Sequence, residues 1–179
     1  MSVTIERPAP DEYNVFYAGY IRRVPAGDIF DTLTRQIDEV QQLLGPLSEA
    51  QAAYRFADNQ WSIREVVGHL IDTEQIMAYR ALCLSRGEKS SLPGFEQDDY
   101  VTAGHFDDQP LSTLLETFSL LRRATIAQLR PMRPEASTER GTVNGFPASA
   151  RAMVYIIAGH VAHHLESLRT DYDVQSQAV

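Results

Sequence analysis

The chain has a single cysteine, no apolar run of membrane-spanning length and no excess of basic charge. Each shortage removes a class of protein. Cys83 alone cannot form an intrachain disulfide, which fits a reducing compartment. Set among Ala81, Leu82 and Leu84, it reads as a small core residue rather than a nucleophile, although Arg80 and Arg86 are near in sequence. No stretch approaches the roughly 20 apolar residues of a spanning helix. The opening MSVTIERPAPDEY also lacks the apolar centre of a signal peptide. A cytoplasmic protein without a membrane partner is therefore expected. Sixteen basic against 24 acidic residues give a net charge of −8, and with no basic run this excludes nucleic acid as the expected partner. A Ser-His-Asp arrangement, a phosphate loop, a dinucleotide motif, strand-like alternation and internal repeats are missing as well.

What is present is helical periodicity. The 179 residues suit one domain, 1–179, with residues 1–25 as an N-terminal arm. In that arm Tyr13, Phe16, Tyr17 and Tyr20 are spaced for a short helix ending near Val24-Pro25; its tyrosines could line a pocket or a subunit contact, but ordinary packing with the hydroxyls in water is the expected role. A first long helix is predicted from the N-cap Asp28 to Leu44, stopped by Gly45-Pro46. A second runs from the capping box Ser62-Ile63-Arg64-Glu65 to about Leu84. The third starts near Asp107 or Asp108 with Pro110 in its first turn and reaches Pro131, and the fourth takes residues 148 to about 170. Residues 86–109 and 131–147 read as loops. They are long enough to permit crossovers, so simple up-down-up-down order is not assumed. The fold class is all-α, a four-helix bundle with long inter-helix loops.

Three of the five histidines fall in GHVAHHLESLR, Gly159 to Arg169. His160 and His164 are four residues apart, about 400° of helical rotation, so their rings lie on one face about 40° apart. Met153, Ile157, Val161, Leu165 and Leu168 make that face apolar, so both imidazoles point inward. A buried imidazole needs a partner for each ring nitrogen, and a divalent metal with a hydrogen-bond acceptor meets both needs. The same spacing also arises by chance in helices, so a third ligand has to come from elsewhere. His69 lies on an inward face of the second helix with Val66, Thr73, Met77 and Arg80, and it can reach the pair if the two helices are neighbours. Three histidines leave coordination positions open, as catalytic rather than structural sites do. His163 is expected to face outward or towards a neighbouring helix, and His105 to lie on the surface.

WSIREVVGHLIDTE from Trp61 to Glu74, PGFEQDDYV from Pro93 to Val101 and GHVAHHL from Gly159 to Leu165 resemble the DinB-like superfamily of metal-binding four-helix bundles. The resemblance implies His69, His160 and His164 as ligands of a divalent metal, zinc or nickel. It also implies kinship with bacillithiol- and mycothiol-dependent S-transferases and a maleylpyruvate isomerase.

Three functions follow as expectations. In the first, the metal lowers the pKa of a low-molecular-weight thiol, which attacks a small-molecule electrophile. Arg80 and the loop carrying Phe95, Asp99 and Tyr100 would shape the pocket. In the second, the metal activates water for hydrolysis, with Asp72 or Glu74 relaying its proton. Asp72 could instead orient a ligating imidazole or be an exposed helical acid. In the third, the chain holds metal without turnover. Spare apolar faces allow a homodimer.

Overall fold

In the computed structural model, which describes residues 5–175, the chain enters through two 3₁₀ turns at Pro10–Glu12 and Val15–Tyr17 and a short helix, α1 (Ala18–Arg23). The arm is tied down by charge. Glu12 accepts hydrogen bonds from the Arg151 guanidinium at 2.8 and 2.5 Å and from the Ala9 amide at 2.9 Å.

Asp28 then caps α2 (Ile29–Leu44), its carboxylate accepting from the Phe30 and Asp31 amides as its position predicts. After a one-turn helix, α3 (Glu49–Ala52), the Ser62–Glu65 capping box starts α4 (Ile63–Ser85). The stretch 86–109 is not simply a loop, because it contains α5 (Gln97–Gly104) and a 3₁₀ turn at Phe106–Asp108. A helix of eight residues with three consecutive polar positions carries too little apolar periodicity to read from sequence. Next, α6 (Leu111–Leu129) begins after Pro110, which stands at the N-cap instead of inside the first turn. The stretch 131–147 likewise holds more than loop. It contains α7 (Pro134–Ser137) and most of a hairpin of β1 (Arg140–Val143) and β2 (Phe146–Ser149) around Asn144-Gly145, the dipeptide that favours such turns. Ser149 caps the last helix, α8 (Ala150–Thr170).

The four long helices share two apolar clusters, one at each end. Phe30 and Leu33 of α2, Met77 and Leu84 of α4, Leu129 of α6 and Met153 and Ile157 of α8 build one. Val40 and Leu43, Val67 and Leu70, Leu114 and Phe118, then Val161 and Leu165 build the other. In chain order, therefore, α2 runs up, α4 and α6 both run down, and α8 runs up. Because α4 packs on α6 and α8, and α2 on the same two helices, consecutive pairs α2/α4 and α6/α8 sit diagonally. Two successive descending helices require a connection along the whole bundle, and residues 86–110 supply that crossover.

A polar layer separates the two clusters. Arg122 of α6 donates from Nε to both Glu74 oxygens of α4 at 2.8 and 2.9 Å, and from Nη1 to Gln36 Oε1 of α2 at 2.9 Å. Gln36 Nε2 donates in turn to the Ala158 carbonyl of α8 at 2.7 Å. One residue from each long helix thus meets at mid-height. Among the described residues, no helix is long and apolar enough to cross a membrane.

Candidate metal centre

The histidines that could hold a metal come from antiparallel neighbours, α4 and α8, at the level where the apolar clusters meet. Both carry a Gly-His dipeptide there. A Cβ on Gly68 would lie 2.2 Å from the Phe106 ring, and one on Gly159 would lie 2.1 Å from the Tyr20 carbonyl oxygen. Glycine at these points lets the crossover close over α4 and the arm close over α8. Glycine in a helix interior costs about 1 kcal/mol relative to alanine, and here the close packing offsets it.

His69, His160 and His164 bring their ring nitrogens together. His69 Nε2 lies 2.9 Å from His160 Nε2, which lies 3.1 Å from His164 Nε2. Nitrogens bound about 2.0–2.1 Å from one cation stand about 2.9 Å apart at right angles and about 3.3 Å apart at the tetrahedral angle. The observed separations fall in that range. Hydrogen bonding alone fits the cluster poorly, since the single Nε2 of His160 faces two others and offers either one proton or one lone pair. Burial, with repulsion from His163, lowers the pKa of His69 to about 4, and burial with repulsion from His69 and His163 lowers that of His164 to about 3. Burial drives His160 well below its ordinary value too. All three rings are neutral at pH 7, with lone pairs available to a cation. The residues present fit a divalent metal.

His69 is oriented from below by Thr73, whose hydroxyl stands 3.5 Å from Nδ1, and is flanked by Trp61 with ring centroids 4.6 Å apart. An Nδ1 proton directed at Thr73 leaves Nε2 free to ligate. The residue one turn beyond His69 thus stands in the orienting place that was one of two roles open to Asp72, and the i, i+4 spacing was the available signal. Asp72 is half-buried, which raises its carboxyl pKa, and it makes no hydrogen bond among the described residues. Glu74 is committed to Arg122.

A cavity of about 410 Å³ opens onto His69 and His160. Its walls are Thr73, Met77 and Ile156 on the bundle side, Phe95 on the crossover, and Phe16, Tyr17 and Tyr20 on the arm, with Glu96 and Asp98 also at its edge. The arm tyrosines Tyr13, Tyr17 and Tyr20 pack against the core as expected, and Tyr17 and Tyr20 also line this cavity, the other role open to them. Tyr20 lies edge-on to His160 at 5.4 Å between centroids and also packs on His163, which is half-buried. Arg80 and Tyr100 line a second cavity, of about 350 Å³, which shares Phe95 with the first. His105 is exposed, as expected.

The sequence profile of the DinB superfamily matches residues 32–168 of the chain. No curated protein matches it. Among solved structures it is similar to YfiT from Bacillus subtilis, described as a probable metal-dependent hydrolase with an unusual four-helix bundle topology. The TM-score is 0.71 at 14% identity, covering 94% of this chain and 92% of that one. The likeness establishes the shared fold.

Proposed function

This chain belongs to the DinB superfamily, and we propose that it is a metal-dependent enzyme that joins a low-molecular-weight thiol to a small electrophile in the cleft beside His69 and His160. The observation that carries this reading is the open face of the histidine cluster, two of whose rings border a cavity of about 410 Å³, a volume suited to a small molecule. A divalent cation held by His69, His160 and His164 would supply Lewis acidity that makes a thiol more acidic at neutral pH.

The chain's own residues do the rest. Thr73 and Trp61 hold the His69 ring, Tyr20 closes the cluster on the arm side, and Phe16, Tyr17 and Phe95 give the cleft aromatic walls. A thiol that gives its proton to solvent there attacks an electrophilic carbon as the thiolate: the carbon–sulfur bond forms as the leaving group departs with its bonding pair, or as the π pair of a double bond moves to the far carbon, which then takes up a proton. With solvent accepting the thiol proton, this route requires no dedicated base. Glu74, held by Arg122, is unsuited to act as one.

Hydrolysis is the second reading. Glu96 and Asp98, at the edge of the same cavity, favour it as carboxylates able to take a proton from water, and the description of YfiT agrees with it.

The test is activity of the purified, untagged protein, first stripped with chelator and then reloaded with zinc or nickel. Loss of a small thiol together with an alkylating electrophile, abolished by stripping and restored by metal, supports transfer. Turnover of esters or amides without thiol selects hydrolysis, and metal uptake without either reaction leaves a holding role.

A further inference from the structure

Two arginines are almost fully buried on the faces of α4 and α6, and they are treated differently. Arg122, with no exposed surface, has the Glu74 carboxylate as its counter-charge. Arg80 is 3% exposed, and no carboxylate reaches it among the described residues. Its Nη2 donates to the Pro93 carbonyl at 2.6 Å, its Nη1 to the Met77 sulfur at 3.4 Å, and the guanidinium lies 5.7 Å from the centre of the Phe95 ring. Burial lowers its pKa, and the neighbouring Tyr17 hydroxyl, which hydrogen-bonds it, partly offsets this together with Tyr100. One carbonyl, one thioether and the Tyr17 hydroxyl, all uncharged acceptors, take up only part of its five N–H groups. They anchor the crossover, but they leave the charge itself uncompensated, a condition that is costly in a protein interior.

The surroundings say what would compensate it. Arg80 borders the cavity of about 350 Å³ walled by Ile76, Leu92, Phe95 and Tyr100, a mostly apolar space. Phe95 is shared with the histidine cleft, and Met77, in contact with Arg80, lines that cleft as well. A guanidinium at the end of an apolar space suits a planar anion joined to an apolar body, bound through paired N–H donors.

We propose that Arg80 receives the carboxylate of an acidic substrate whose apolar body rests against Phe95 and whose reactive end extends towards His69 and His160. The word substrate rests on the enzymatic reading above, whereas carboxylate binding at Arg80 does not.

The test uses phenylacetate and its neutral isostere phenylacetamide, titrated into the full chain by calorimetry in both chelator-stripped and zinc-loaded states, with inorganic phosphate as a competitor. The acid should bind about tenfold or more tighter than the amide in both states. Arg80→Met should bring the ratio close to one, and Arg80→Lys should retain part of it. A purely structural Arg80 would alter both ligands alike. Equal binding of acid and amide to the wild type overturns the proposal, and that comparison stands even where Arg80→Met does not fold. Phosphate competing better than phenylacetate also overturns it. A preference seen only with zinc places the carboxylate on the metal, which overturns the Arg80 site and leaves the metal reading intact. A preference in both states without zinc uptake supports Arg80 and removes the metal reading.

Discussion

His69 Nε2 and His160 Nε2 lie 2.9 Å apart although 91 residues separate them, and Thr73 is the side chain that aims the first of the pair. Replacing Thr73 by Val keeps the shape and removes the hydroxyl from His69 Nδ1. Metal affinity should fall about 10- to 100-fold, with a larger fall for His160→Ala. Competition against a chromophoric chelator measures both. A Thr73→Val protein that binds zinc as the wild type does would show that the 3.5 Å contact orients nothing.

Glu74 separates a structural carboxylate from a catalytic one. Leu in its place leaves the Arg122 guanidinium buried without its counter-charge, a loss of about 3–5 kcal/mol. The double variant Glu74→Leu/Arg122→Met removes both charges and should recover most of that stability, since apolar replacements of a buried pair are often neutral or better. Urea unfolding gives the energies, and metal content should be unchanged in the folded double variant. Loss of metal from it would tie Glu74 to the histidine site after all.

The long helices were legible because each begins or ends on local chemistry: the Asp28 carboxylate, the Ser62–Glu65 box, Gly45-Pro46. The histidine face was legible for the same reason, its spacing being a property of a single helix. What escaped detection depends on contacts between distant segments. Thr73 stood on the inward side of α4, but only the ring orientation of His69 distinguishes it from Asp72. Placing Tyr17 and Tyr20 in the site required knowing that α1 folds over α8 at Gly159. The pairing of Arg122 with Glu74 required the diagonal order of the helices, set by a crossover whose own helix α5 has little apolar patterning.

Glu12 gives the fold an acid-sensitive clamp on the arm. Burial alone would raise its pKa, but hydrogen bonds from Arg151 and Ser149 and from the Ala9 amide override that and lower it to about 2 from 4.5. A carboxylate whose folded pKa is depressed contributes stability that is fully present above its unfolded value, about 4.3–4.5, and lost as pH falls towards 2. The contribution at neutral pH is about 3 kcal/mol. Wild type and Glu12→Gln should therefore differ by roughly that amount in urea unfolding at pH 6 and converge as pH approaches 2. A difference that does not change with pH would mean that Glu12 acts by packing and not by charge.

Gly159 decides whether the arm can stay in the site. A methyl group there meets the Tyr20 carbonyl oxygen at 2.1 Å and its carbon at 2.4 Å, both backbone atoms, so no side-chain rotation relieves the clash. Alanine is the better helix former by about 1 kcal/mol, and α8 itself should gain from the change. Overpacking against rigid backbone costs about 1–3 kcal/mol, so the net effect should be a small loss of global stability and a displaced arm. The salt bridge from Arg23 to Glu166, 2.8 Å long, should break with it and open the Arg22-Arg23 stretch to trypsin. Limited proteolysis of Gly159→Ala beside the wild type should show cleavage there at least about tenfold faster, which corresponds to about 1.4 kcal/mol of local opening. The histidine nitrogens lie on the bundle side of α8, so zinc uptake should persist while the aromatic wall of Phe16, Tyr17 and Tyr20 is lost from the cleft. Unchanged proteolysis would mean that the arm is held from its Glu12 end and that the approach at Gly159 is a consequence of the packing, not its cause.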